Sequence, residues 1–384
     1  MSSKTVRAAG LLVIAASLLA CLAVVDVAGG WAFFKLRRQL MPETSEFWRV
    51  APPSLAHEEK AEFVSEWESI VGAFEFQPYV LWKQKDHRGR WINVEQGIRR
   101  TVNAELPGSK PVTIVLFGGS SAWGFGARDE RTIASEIARI AAREGLRWKV
   151  TNRADLGYVN WQETLVLAGM CADGEAPDVA IFLDGLNDVY AGLAMPRASR
   201  PLFDQALWSR AFERFQSGRS YLDTLDGFGR FWWRNSLLRR AAGRFMERGG
   251  EESPIAPQDA ARADASGREI ADRYLGQVNV AEALARQFGF KAVFFWQPTI
   301  HTKRSLSADE KRYLSEYPEE STIGPAYRSA TRRIAESGRV DSIAATFDAE
   351  GPTVFFDSVH TLEDANASIA RAMFPRIRAA VEAR

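Results

Sequence analysis

The chain has 384 residues, 46% hydrophobic and 25% charged, with a net charge of +1; this suits one large α/β domain with additions, or two modest domains. A near-neutral balance gives no global field for nucleic acid. Four scattered histidines (His57, His87, His301, His360) lack metal-ligand spacing, and two cysteines, Cys21 within an apolar run and Cys171, do not suggest a disulfide.

Lys4 and Arg7 precede an almost wholly apolar run, Leu11–Phe34, interrupted by Asp26 and closed near Trp31. A run beyond about 20 residues is long enough to cross a bilayer, so residues 1–35 are expected to form a transmembrane anchor. A cleaved signal peptide also fits basic residues before an apolar core. Leu18-Leu19-Ala20-Cys21 resembles a lipoprotein cleavage box. The run continues well past Cys21, which favours the uncleaved anchor. Positive charges are nearly balanced across it, and the short N-terminal tail puts the large domain on the extracytoplasmic side.

Residues 36–110 are expected to be a juxtamembrane region packing on the main domain. Phe63, Trp67, Ile70 and Phe74 have helical spacing within 58–74, and Trp91–Arg99 reads as strands about a turn. Phe76, Tyr79, Trp82 and Trp91 suit either packing or a carbohydrate-binding face.

From 111 to 384 strand and helix alternate, the pattern of a parallel sheet covered on both faces. Strands are expected at 112–117, 147–152, 178–183, 290–296 and 353–356. Helices are expected near 130–144, 161–170, 268–288, 325–337 and 362–381. An aromatic and Arg-rich helical insertion at about 190–268, including Arg230-Phe231-Trp232-Trp233-Arg234, reads as a lid, a membrane-facing surface or a packed cap.

Val112–Gly126 is the stretch that points to chemistry. A β-branched strand stops at Gly118-Gly119 and delivers Ser120 to the carboxyl edge of the sheet, where open α/β sheets bind ligands. Ser120 is the candidate nucleophile, with Ser121 beside it. His360 follows the strand Val354–Phe356, and Asp357 lies three residues ahead. A loop there lets the Asp357 carboxylate reach Nδ1 and leaves Nε2 for the serine. Asn187, in Gly185-Leu186-Asn187-Asp188, can point its amide into the cleft while Asp188 braces the loop. Gly157 can present its backbone N–H to a developing oxyanion. His301, at another strand end, is a second-rank pocket candidate.

In order, Gly119-Ser120, Gly157, Gly185-x-Asn187-Asp188 and Asp357-x-x-His360 resemble the four blocks of the SGNH (GDSL-type) hydrolase superfamily, in a membrane-anchored bacterial-type form. The resemblance covers about residues 111–381. It implies a flavodoxin-like α/β/α sandwich on a five-stranded parallel sheet. It also implies ester hydrolysis by Ser120, His360 and Asp357 with no cofactor, and an oxyanion hole from Ser120, Gly157 and Asn187. The first block reads Gly-Gly-Ser-Ser rather than Gly-Asp-Ser-Leu, and Ala365 stands near the family's helix-start glycine. The expected activity is cleavage of acyl or acetyl esters on an extracytoplasmic glycan or lipid. Acyl transfer to a cell-envelope sugar uses the same residues, and a binding protein on a hydrolase fold is the non-enzymatic alternative.

Overall fold

The computed structural model describes residues 42–105, 107–108, 110–205, 253–349 and 351–383, together with residues 14, 17, 18, 20–32, 208, 209 and 213. The chain divides into two units: residues 46–205 with 253–384, and residues 1–45 with 206–252. In the second unit, residues 20–32 are helical. Among the described residues no helix is long and apolar enough to cross a membrane, and much of the apolar run at 11–34 lies outside them. Most of the insertion expected at 190–268, including the Arg230–Arg234 run, also lies outside the described residues. At its described ends, residues 190–194 and 260–268 belong to regular helices.

The first unit is built on one mixed, eight-stranded sheet. Its strands are β3 (His87–Arg88), β4 (Asn93–Glu95), β5 (Ile98–Arg99), β6 (Val112–Gly118), β7 (Trp148–Asn152), β8 (Val179–Asp184), β9 (Lys291–Trp296) and β10 (Asp341–Ser342), in the order β10-β9-β8-β6-β7-β5-β4-β3. A separate antiparallel hairpin, β1 (Phe74–Gln77) with β2 (Leu81–Gln84), precedes them. β6 through β10 are parallel to one another, whereas β3, β4 and β5 are antiparallel additions beyond β7.

Two expectations are corrected here. The sheet is not a purely parallel set of five, because residues 87–99 extend it through an antiparallel β4–β5 hairpin. Gln96 and Gly97 at its turn both have positive φ (55° and 77°), which suits a two-residue turn. The fifth parallel strand is β10 rather than 353–356. Residues 354–362 instead double back through an isolated antiparallel bridge, Phe355 to Thr361, so their apolar run serves a loop rather than the sheet.

Strand alternation assigns side chains to the two faces. Ile114, Leu116, Ile181 and Phe295 join one apolar layer. Helices α1 (His57–Ile70), α3 (Ile133–Arg143) and α9 (Asn366–Glu382) contribute Trp67, Ile137 and Ile377 to the same layer. Val115, Phe117, Phe182 and Phe294 join the other layer. Helices α4 (Asn160–Ala172), α5 (Leu186–Ala194), α6 (Ala260–Phe288) and α8 (Glu320–Ser337) contribute Leu167, Val189, Tyr274 and Tyr327 there. Phe117, Phe182 and Phe294 occupy matching registers on three neighbouring strands. Their rings stack at centroid spacings of 5.1 and 4.9 Å.

The parallel strands, read along the chain, follow the order 2-1-3-4-5. The connections leave β6 and β8 in opposite directions, and ligands of open sheets bind beyond the carboxyl ends at such a switch point. Gly118–Ser120 and Asp184–Asn187 lie at those two ends.

Candidate active site

The turn that carries Ser120 is built by glycine. Gly118 has φ 153°, and a Cβ there would stand 2.7 Å from the Leu183 carbonyl oxygen and 2.5 Å from the Ala122 Cβ. At Gly119 the backbone is ordinary (φ −81°), but a Cβ would lie 2.2 Å from Asn187 Nδ2. Gly118 therefore answers to conformation and crowding, and Gly119 to the approach of one side chain. The one-turn helix α2 (Ser120–Trp123) begins at Ser120 itself, ahead of the helix expected near 130–144.

Buried groups beneath α2 fix its position. Asn152 Nδ2, at the end of β7, donates to the Ala122 carbonyl at 2.9 Å. The Arg99 guanidinium lies 4.4 Å from the Trp123 ring centre and 3.0 Å from Asp129. Burial pushes Arg99 down to about 10, against the opposing pull of Asp129; it remains charged at neutral pH.

Ser120, His360 and Asp357 come together in the folded chain. Ser120 Oγ lies 2.5 Å from His360 Nε2, and His360 Nδ1 lies 2.5 Å from Asp357 Oδ2. Asp357 Oδ1 accepts the backbone N–H groups of Val359 (2.9 Å) and His360 (2.7 Å). Burial acts to raise the Asp357 pKa, but the His360 charge and these hydrogen bonds outweigh it and hold the carboxyl below its ordinary range. The imidazole stacks on Phe356 (5.6 Å between centroids) and meets Phe125 at 4.5 Å.

The loop carrying the pair is pinned at its start and in its middle. Glu310, in α7 (Ala308–Glu316), accepts the Val354 and Phe355 N–H groups at 3.0 and 3.1 Å and is paired with buried Lys303. The Ile300 N–H donates to the Ser358 carbonyl at 3.0 Å.

Asn187, in the first turn of α5, donates from Nδ2 to the Tyr158 carbonyl at 2.8 Å. An amide nitrogen carries two hydrogens, so this bond aims the group and leaves a second donor. Gly119, Ser120, Ser121, Asn187, Gln297 and Val359 help line a recess of about 10 Å³, room for about one water molecule. Ser121 shares that recess, but the His360 bond goes to Ser120. Gly157 does not line it; the neighbouring Tyr158 does. Gly157 has φ 75°, and a Cβ would make only ordinary contacts, 3.4 Å to Phe203 and 3.5 Å to Trp82. Its left-handed backbone is one that glycine adopts without strain.

Gly185 (φ 149°) leaves room for the Tyr327 hydroxyl, 2.6 Å from where a Cβ would sit. Asp188 braces the turn by accepting the Asn160 N–H at 3.3 Å. Asp184 accepts from Asn160 Nδ2 (2.8 Å) and the Tyr274 hydroxyl (2.9 Å). With Glu163 these two form a buried carboxyl cluster, and burial raises the pKa of all three. His301 stands apart from the recess, with Nε2 2.8 Å from Glu320. Sequence reasoning missed Tyr158, Gln297, Phe125 and Phe356. The Gly157 signal lay one residue from the first; backbone carbonyls and ring contacts leave no residue-type signature.

No family profile matches the chain, and no curated protein matches it. Solved structures do match. An acetyl xylan esterase, AlAXEase, is 12% identical, with 69% of this chain and 100% of that one covered and a TM-score of 0.35. The lipase/acylhydrolase of Enterococcus faecalis is 15% identical, with 69% and 96% covered and a TM-score of 0.34. A member of the lipolytic G-D-S-L family from Veillonella parvula is 11% identical, with 69% and 97% covered and a TM-score of 0.35.

Proposed function

We propose that this chain is a serine esterase of the SGNH type that removes a short acyl group, such as acetyl, from a hydroxyl-bearing carrier. The observation that carries the reading is the unbroken hydrogen-bond chain Ser120–His360–Asp357, placed beside the Asn187 amide. In this mechanism Ser120 Oγ attacks the ester carbonyl carbon as His360 Nε2 takes its proton. The carbonyl oxygen becomes an oxyanion facing the second Asn187 N–H and the backbone N–H of Ser120; the Tyr158 carbonyl aims Asn187. Collapse expels the carrier alkoxide, which recovers the proton from His360 and leaves as an alcohol. Water then attacks the acyl-enzyme with His360 again as base, releasing the carboxylic acid and regenerating Ser120. The recess beside Ser120, about the size of one water molecule, suits the carbonyl oxygen of the ester.

In the same reading, residues 1–35 anchor the chain in the cell membrane with residues 36–384 on the extracytoplasmic side, and the ester is borne by a glycan or lipid. Helical residues 20–32 leave Leu22, Val24, Val25 and Trp31 exposed, an apolar surface suited to lipid.

The test is to treat the detergent-solubilised full chain with a fluorophosphonate probe, locate the adduct by mass spectrometry and follow p-nitrophenyl acetate hydrolysis. The adduct is expected on Ser120, and Ser120→Ala is expected to cost about four orders of magnitude in rate. An adduct on Ser121, or turnover that survives Ser120→Ala, would overturn the assignment.

A further inference from the structure

A second cavity, of about 310 Å³, opens between the β1–β2 hairpin, the β4–β5 turn and the flank of α4. Its lining includes Tyr79, Lys83, Gln96, Arg153, Asp173 and Glu175. Tyr158 lines both this cavity and the recess beside Ser120.

The hairpin tip is strained and held so. Tyr79 (φ 69°) and Leu81 (φ 74°) are non-glycine residues in the left-handed region, an arrangement that persists only where surroundings enforce it and that concentrates at functional sites. The enforcement is visible. Gln162 Nε2 donates to the Val80 carbonyl at 2.7 Å, Trp82 Nε1 to the Leu156 carbonyl at 2.8 Å, and Gln84 N–H to Asp155 at 2.8 Å. These bonds tie the hairpin to α4 and to the loop that carries Tyr158. They hold up a tyrosine ring that is 91% exposed, with Phe76 nearby 73% exposed. Of the four aromatics with two sequence readings, Trp82 and Trp91 are packed and Phe76 and Tyr79 are presented.

The charges of the cleft indicate its ligand. Lys83 lies 3.0 Å from Glu75 and Arg153 lies 3.5 Å from Glu175, so its cations are balanced by carboxylates and offer little to a phosphate or sulfate. Side-chain amides, paired charges and an exposed ring instead match a neutral polyol, whose hydroxyls take planar polar partners while its C–H face covers an aromatic. We infer that this cleft binds an uncharged carbohydrate, the carrier of the acyl group cleaved at Ser120. The inference rests on the esterase reading for the carrier's role but not for the binding itself.

The experiment uses the full chain in detergent with Ser120→Ala, titrated with xylopentaose, cellopentaose, mannopentaose and chitopentaose, all free of O-acyl esters, and read by saturation-transfer NMR. At least one is expected to bind. Tyr79→Gly removes the ring and relieves the backbone. It should weaken that binding by about tenfold or more while the melting temperature holds or rises, which separates a ligand role from a structural one. In the chain with Ser120 intact, Tyr79→Gly should lower turnover of the acetylated oligosaccharide relative to p-nitrophenyl acetate by a similar factor. Absence of any binding tighter than about 10 mM, or binding unmoved by both Tyr79→Gly and Gln96→Ala, overturns the inference. So does quenching of Tyr79→Trp by brominated phosphatidylcholine in proteoliposomes, which would place the tip in lipid. A wild-type chain inert toward p-nitrophenyl acetate would instead sink the esterase reading and leave the binding result standing.

Discussion

Adding one methyl group at Gly119 tests whether Asn187 is an oxyanion donor. At Gly119 the backbone already has φ and ψ that alanine adopts (−81° and −156°), so Gly119→Ala introduces no conformational strain. Its Cβ would lie 2.2 Å from Asn187 Nδ2 and 3.1 Å from the Tyr158 carbonyl oxygen. Relief to an ordinary contact requires the Asn187 amide to retreat by about 1 Å or more. That movement breaks its bond to the Tyr158 carbonyl, worth about 1 kcal/mol of stability. It also removes a donor whose loss from an oxyanion hole costs about 10²–10³ in kcat. The expected result is a folded enzyme, little shifted in melting temperature, with kcat on p-nitrophenyl acetate down by two to three orders of magnitude, about as far as in Asn187→Ala. The double variant decides the matter. With Asn187 truncated the new methyl has little left to displace, so Gly119→Ala should cost almost nothing further, a strong departure from additivity. Wild-type kcat in Gly119→Ala, or losses that simply multiply in the double variant, would refute the argument.

Other consequences follow from the same geometry. Asp357→Asn should leave the fold intact and lower kcat by about 10⁴ with little change in KM, because an amide no longer fixes the imidazole tautomer; steady-state kinetics beside a melting curve would show it. Gly118→Ala should instead damage the fold, by about 3 kcal/mol in urea denaturation, since its Cβ meets the backbone carbonyl of Leu183. Stability should fall as pH rises from about 4 to 7. Burial pushes Asp155 up to about 7 against the backbone N–H groups of Gln84 and Leu156, so the folded chain binds more protons than the unfolded one across that window, a difference of up to about 4 kcal/mol. Raised Glu163, Asp184 and Asp188 act in the same direction. Asp357, held low, acts in the opposite sense and loses its contribution only as the medium becomes more acid than its ordinary pKa. A melting temperature that climbs between pH 5 and pH 8, or is unchanged by Asp155→Asn, would contradict this.

The sequence by itself determined the strands and helices that carry the site. Short β-branched runs ending in glycine mark β6 and β8, because burial on both faces demands apolar residues and the turns demand positive φ. Asp357 and His360 were legible as a pair because three residues of loop suffice to bring a carboxylate to its imidazole. His360 lies 240 positions along the chain from Ser120, and only the strand order brings the three together, by setting the β6 and β8 ends side by side with the 354–362 loop across them. The residues around 353–356 show where local pattern fails. Val-Phe-Phe reads as a strand, yet Glu310 takes the N–H groups of Val354 and Phe355 that a sheet neighbour would otherwise hold. The roles of Gly119 and Gly157 were equally hidden. A glycine in a sequence announces that a side chain is unwelcome, but whether the cause is its own backbone angle, as at Gly157, or an amide from 68 residues away, as at Gly119, depends on what the fold places against it.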